Sequence, residues 1–227
     1  MYIVGLTGGI ASGKSTVSKI LKEAGIPVVD ADFHARRVVE PGRKAWKKIK
    51  AEFGDKILKS NGQLDREQLG MLIFQDRAKR RRLNEITHPE IYKEMFWESI
   101  KCFYEGHAFI VLDLPLLFES GTMVDYCHKI IVVTCEPEQQ LERLLLRDNL
   151  TERSARMRIE SQMSLDEKAR QASFVIDNSG TIEDTQTQVE QLIRLLKADK
   201  FHWKVRLICG IAVFFSVSLV CWLITTK

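Results

Sequence analysis

Gly8-x-x-x-x-Gly13-Lys14-Ser15, inside GLTGGIASGKST at 5–16, is a P-loop, a set of residues suited to holding phosphate. An apolar, β-prone run precedes it, and Val17, Ile20 and Leu21 follow at helical spacing. Glycines let the backbone curl until successive N–H groups face an anion. The start of the following helix adds unpaired donors and a partial positive charge. Gly8, Gly9, Ile10, Ala11, Ser12 and Gly13 are therefore expected to wrap a nucleotide's phosphates. Lys14 is expected to reach the β- and γ-phosphates, Ser15 to ligate Mg²⁺, and Thr16 to touch the α-phosphate. Ala11 stands where glycine would also fit, and its methyl group is accommodated if φ is negative.

Other residues fit a phosphoryl transfer from ATP to an alcohol. Strand two is expected to end in Asp30-Ala31-Asp32, beside the P-loop in this topology. A carboxylate there could accept the acceptor's hydroxyl proton. Asp30 suits a helix N-cap better, and Asp32 the base. Arg36 or Arg37 could clamp an acceptor phosphate, or both could lie on a solvated helix face. Asp113 ends a hydrophobic strand, the place of a carboxylate that holds Mg²⁺ directly or through water. Arg143 and Arg147 are four apart, share a helix face, and could neutralise charge on the transferred group. His88 could face the acceptor cleft, and Asn178, in the turn after strand five, could contact adenine. The basic run RAKRRR at 77–82 is expected to be a solvated helix face, not a nucleic-acid patch. No guanine-reading Asn/Thr-Lys-x-Asp and no Ser-Gly-Gly signature is present, which excludes GTPases and ABC ATPases.

Alternating strand and helix signals predict the positioning scaffold, an α/β P-loop kinase fold with a five-stranded parallel sheet flanked by helices. Strands are expected at 2–6, 27–30, 108–113, 129–134 and 173–177. A helical acceptor-binding insert is expected over 31–107, broken at Pro41-Gly42, at Ser60-Asn61-Gly62 and at His88-Pro89. A charged helical lid is expected over 137–170 and a last soluble helix over 182–197, within a kinase domain of 1–200. In such folds ligands sit at the carboxyl ends of the strands.

The chain has 227 residues and is 45% apolar, enough for one domain with inserted lobes. A net charge of +4 suits an anionic ligand or a membrane surface, and is too small to argue for nucleic acid. The five cysteines form no C-x-x-C pair, so a reducing compartment is expected. The first strand is expected to begin at once, so no cleavable leader is expected. Residues 207–226 carry no charge, the length of one bilayer-spanning helix. Trp203 and Trp222 suit interfacial anchors, and Lys197, Lys200, Lys204 and Arg206 place that flank in the cytosol. A tail anchor over 205–226 is expected, in the mitochondrial outer membrane or the endoplasmic reticulum, holding a monomeric kinase that faces the cytosol.

These segments together resemble the dephospho-coenzyme A kinase family. The resemblance rests on GLTGGIASGKST at 5–16, VVDADFHARRVVEPG at 28–42, FGDKIL with NGQLDR across 53–66, and the HP pair at 88–89. DLPLLFE at 113–119, the Arg143/Arg147 pair with RIESQ at 158–162, and DNSG at 177–180 complete it. It implies transfer of the ATP γ-phosphoryl group to the ribose 3′-hydroxyl of dephospho-CoA, the last step of CoA biosynthesis. It also implies a nucleotide core, a CoA-binding lobe and a lid. Asp32 is then the base, Lys14 and Ser15 serve phosphates and Mg²⁺, and the lid arginines lie over the γ-phosphate. Ala11 replaces the family's usual glycine. The apolar C-terminal run is not part of the bacterial enzymes and resembles membrane-tethered animal relatives. The alternatives are a kinase for another nucleoside or nucleotide, or a silent membrane-tethered ATP- or CoA-binding module.

Overall fold

A computed structural model of the chain describes residues 1–208 and 211. The chain divides into two compact units, Met1–Val28 with Cys102–Lys227, and Val29–Lys101. Each has its own apolar core.

The sheet is five-stranded in the order β2-β3-β1-β4-β5, and β1, β3, β4 and β5 belong to the first unit. The sheet's strands are β1 (Tyr2–Gly8), β2 (Val28–Asp30), β3 (Phe109–Asp113), β4 (Lys129–Thr134) and β5 (Phe174–Asp177). β1 pairs in parallel with β3 and β4, and β4 with β5. At the edge, the Val111 N–H donates to the Pro27 carbonyl at 2.9 Å. FIVLD of β3 is buried throughout, because a parallel sheet is covered on both faces and its strands need not alternate. On one face Val4, Leu6, Val111, Ile131 and Val133 pack against α1 (Lys14–Glu23) and α10 (Ile182–Ala198) through Val17, Leu21, Val189 and Leu192. Thr181 and Asp184 form a capping box that starts α10. Tyr2 anchors its far end by donating to the Leu196 carbonyl at 2.6 Å. Burial first, and the Asp199 charge second, push the Tyr2 phenol up to about 12.

Between β4 and β5 lie α7 (Pro137–Asp148), α8 (Glu152–Glu160) and α9 (Leu165–Arg170). Pro137 opens α7 and Asn149 closes it in the left-handed region. Register pairs Leu6 with Asp113 and Gly8 with Val133, so the P-loop and Asp113 emerge from the carboxyl ends of neighbouring strands.

The second unit is helical. It contains α2 (Ala31–Arg37), α3 (Lys44–Phe53), α4 (Arg66–Gln75) and most of α5 (Arg77–Tyr104). Val38, Ile49, Ile57, Leu64, Leu69 and Ile86 form its core. The predicted breaks at Pro41-Gly42 and Ser60-Asn61-Gly62 fall between α2 and α3 and between α3 and α4. The third does not: Pro89 lies inside α5. Both Pro89 and Glu85, whose carbonyl it leaves without a helical N–H, are exposed residues. The break comes instead at Asp76, whose carboxylate accepts from the Ala78 and Lys79 N–H groups. Those bonds, the one from Lys79 foremost, hold its carboxyl below the usual range. The RAKRRR run is the exposed first stretch of α5, where Arg82 pairs with Glu52 and Glu85.

Most of the 207–226 run lies outside the described residues. Among the described residues no helix is long and apolar enough to cross a membrane.

Candidate active site

Gly8 closes β1, and a Cβ there would stand 2.8 Å from the Val133 carbonyl, so only glycine fits. Gly13, at φ 93°, turns the chain into α1 and gives that helix no side-chain cap. The first N–H groups of α1 are thus donors of the kind a phosphate satisfies. Ser15 is exposed at this end, with Thr16 beside it half-buried.

Lys14 is not directed into open solvent. Its ammonium is paired with the Asp113 carboxylate, itself 4% exposed. Each neutralises the other in a site that neither would occupy alone at low cost. Phosphate could take over the lysine, and a divalent cation the aspartate. Among the described residues no three His, Cys, Asp or Glu side chains gather around a metal position. The oxygen donors of Ser15 and Asp113 are of the kind Mg²⁺ takes, an ion that arrives with nucleotide phosphates.

Three side chains hold the loop's carbonyls from outside. Lys168 donates to Gly8 at 3.0 Å, Gln140 to Ile10 at 2.8 Å, and Asn178 to Ser12 at 3.0 Å. The Ile10 N–H is itself bound by Gln162 at 2.8 Å. Ser12 is fully buried.

Two expectations for this loop are corrected. Ala11 has φ 60°, so its methyl group sits in the left-handed region, not at negative φ. That conformation costs an L-residue about 1–2 kcal/mol, part of which glycine would return as unfolded-chain entropy. Ala11→Gly is therefore expected to stabilise the protein by about 0.5–1 kcal/mol, read as a rise in melting temperature. An unchanged or lower melting temperature would contradict the strain. Asn178, expected at the adenine, is buried, with its amide on Ser12 and its carbonyl accepting from Thr185 at 2.9 Å. A Cβ on Gly13 would come within 1.9 Å of that amide. Asn178 braces the loop from the sheet side, and both ends of its side chain are already engaged.

The lid pair also separates. Arg143 is half-buried and donates to the Asn178 carbonyl at 3.0 Å. Arg147 is exposed and pairs with Asp148 at 2.8 Å, as does Arg158. Those cations, Arg147 foremost, hold the Asp148 carboxyl below its usual range. Four-residue spacing put both arginines on one side of α7. The burial of Gln140 and Leu144 sinks that side at Arg143 and leaves Arg147 in water.

In the helical unit, Asp32 and Arg36 line a cavity of about 430 Å³ with Arg66, against an apolar wall that includes Val39, Leu64 and Ile73. A carboxylate, two guanidinium groups and an apolar wall suit an acceptor with both anionic and apolar parts. Asp30 caps α2, its carboxylate accepting from the Phe33 N–H at 3.0 Å. Arg37 lies away from this cavity and pairs with Glu94. His88, expected at the cleft, is exposed, packs edge-on to Tyr92, and does not line the cavity. Its helical phase turns it outward, while Asn84, Thr87 and Ile91 face in.

The family model for dephospho-CoA kinase matches residues 2–184, from β1 into the first turn of α10. The chain belongs to the dephospho-CoA kinase family. A dephospho-CoA kinase domain-containing protein of Danio rerio is 50% identical over 192 residues, 85% of this chain and 84% of that one. A dephospho-CoA kinase of Oryza sativa subsp. japonica is 48% identical over 207 residues, 91% of this chain and 89% of its own. The solved dephospho-CoA kinase from Campylobacter jejuni matches with a TM-score of 0.65 at 30% identity, over 85% of this chain and 95% of that one. As a member of this family the chain is a kinase.

Sequence reasoning missed residues around the loop and in the cavity. Gln162 lies in a segment that carries the family resemblance, and Arg66 ends NGQLDR, yet neither was singled out. Gln140 and Lys168 sit in a charged helical stretch that reads as solvated, and only the fold shows them buried.

Proposed function

We propose that this dephospho-CoA kinase family member transfers the γ-phosphoryl group of ATP to the ribose 3′-hydroxyl of dephospho-CoA, giving CoA and ADP. What carries the reading is the P-loop with Lys14 poised on Asp113, in a chain that the family model matches from residue 2 to 184.

The loop amides and the start of α1 hold the phosphates, and Lys14 exchanges Asp113 for the β- and γ-oxygens. Mg²⁺, when bound, neutralises phosphate charge, and Ser15 and Asp113 are the residues that would hold it. Asp32 takes the proton of the attacking 3′-hydroxyl as the new P–O bond forms and the bond to ADP breaks. Arg36 and Arg66 clamp the acceptor's phosphates. Arg143 faces the charge that develops on the transferred group, and Arg147 joins it by leaving Asp148. Competing nucleosides, nucleotides and dephospho-CoA for one pool of ATP tests the acceptor. CoA is the expected main product, and preferential phosphorylation of another acceptor would overturn the assignment.

We further propose that 205–226 anchors this monomeric kinase in the mitochondrial outer membrane or the endoplasmic reticulum, with its catalytic part in the cytosol. The support is the charge-free run with its basic flank and bordering tryptophans. Removing residues 203–227 should release an active kinase into the soluble fraction. Retention of the truncated protein on membranes would contradict the anchor.

A further inference from the structure

Among the described residues, Lys168 is the largest side chain that is fully buried, at 0% exposure. Lysine almost never occupies such a position without partners, because its ammonium must leave water. Here Nζ donates to the Gly8 carbonyl at 3.0 Å and pairs with the Glu119 carboxylate at 2.7 Å. Glu119 also accepts from the Met163 N–H at 3.2 Å. Ser164 and Glu167 form the capping box that fixes α9 one residue before Lys168. Leu165 of the same helix lies where a Cβ on Gly9 would be, at 3.0 Å. The underside of the P-loop is thus built from the segment between β4 and β5 and from the end of DLPLLFE.

A peptide plane directs its carbonyl and its N–H to opposite sides. A carbonyl held from behind therefore turns the next residue's amide forward. Lys168 holds Gly8, Gln140 holds Ile10 and Asn178 holds Ser12, which turns the amides of Gly9, Ala11 and Gly13 the other way. Of these three holders only Lys168 is charged, and a charge-assisted bond is the stiffest of them.

We propose that Lys168 is a positioning residue for nucleotide binding. It fixes the Gly8 peptide so that the loop's amides are preset toward the phosphates, and Glu119 keeps its charge tolerable in the interior. This rests on the proposed use of the P-loop for ATP, but not on dephospho-CoA as acceptor.

The full chain is used, with direct binding of a non-hydrolysable ATP analogue and thermal unfolding measured side by side. Lys168→Met should weaken nucleotide binding about tenfold to a hundredfold, the range for a lost charge-assisted bond, and lower the melting temperature. Lys168→Met with Glu119→Gln removes both charges and keeps an acceptor for Met163. It should recover the melting temperature while nucleotide binding stays weak. Glu119→Gln alone leaves Lys168 on Gly8 and should bind nucleotide much as the parent does. Recovery of nucleotide binding together with stability in the double variant would overturn the proposal, since the pair would then be structural only. Unchanged binding in Lys168→Met would do the same, and if the double variant does not fold, a loss of binding in Glu119→Gln as large as in Lys168→Met would also overturn it. A parent protein that binds ATP and makes no CoA would count against the proposed acceptor and leave this inference standing.

Discussion

Asp32→Asn is expected to lower kcat by about 10²–10⁴-fold, the usual contribution of a general base, with ATP binding unchanged. Asp32 stands on the wall of the proposed acceptor cavity with Arg36 and Arg66, in the first turn of α2. It does not cap that helix. Asp30 does, so the fold should not notice the change at Asp32. The paired variant Asp30→Ala should show the reverse, a loss of about 1 kcal/mol in stability with most of kcat retained. Steady-state kinetics and thermal unfolding of the two variants separate the roles. Loss of turnover in Asp30→Ala at unchanged stability, with an active Asp32→Asn, would move the base to Asp30.

Lys14→Met should remove about 10²–10³-fold from kcat/KM, as loss of one preset electrostatic group does in other active sites. A second effect follows from the pairing of Lys14 with Asp113. Without the lysine, the Asp113 carboxyl group loses its partner in a position 4% exposed. The nucleotide-free protein should lose about 1–3 kcal/mol, the cost of leaving a buried polar group without its partner. Adding Asp113→Asn should return most of that stability and none of the activity. If Lys14→Met leaves the melting temperature unchanged, the pair carries no stability in solution.

The parts of the molecule legible in the sequence are those where local chemistry forces the outcome. Gly8 and Gly13 were readable because backbone positions of that kind admit no side chain, and their surroundings bear this out at 2.8 Å from Val133 and at φ 93°. The strands were readable because a covered parallel sheet shows as unbroken apolar runs such as FIVLD. Asp30 as a cap followed from residue type alone. Tertiary context decided the rest. Pro89 did not end its helix, and it lies there on an exposed stretch with Glu85, the residue whose carbonyl loses its helical N–H. Asp76 did start one, by accepting two backbone N–H groups, a signal weaker in sequence than a proline. Ala11 took a positive φ because the loop's other contacts outweigh about 1 kcal/mol of local strain. Lys168 and Gln140 were hidden for a different reason. In a helix rich in charge, a buried lysine and a solvated one look alike, and the difference lies in Glu119 and Gly8, distant in the chain. Asn178 was noticed from the turn that holds it, but tertiary packing decided that its amide goes to Ser12 and its carbonyl to Thr185.

The most direct measurement is ADP release from ATP by the protein, with and without dephospho-CoA, followed by chromatography of the acceptor. The account predicts release that depends on dephospho-CoA, with CoA formed in equal amount and both lost in Asp32→Asn. Release indifferent to dephospho-CoA, or none at all from protein that still binds ATP, would contradict it.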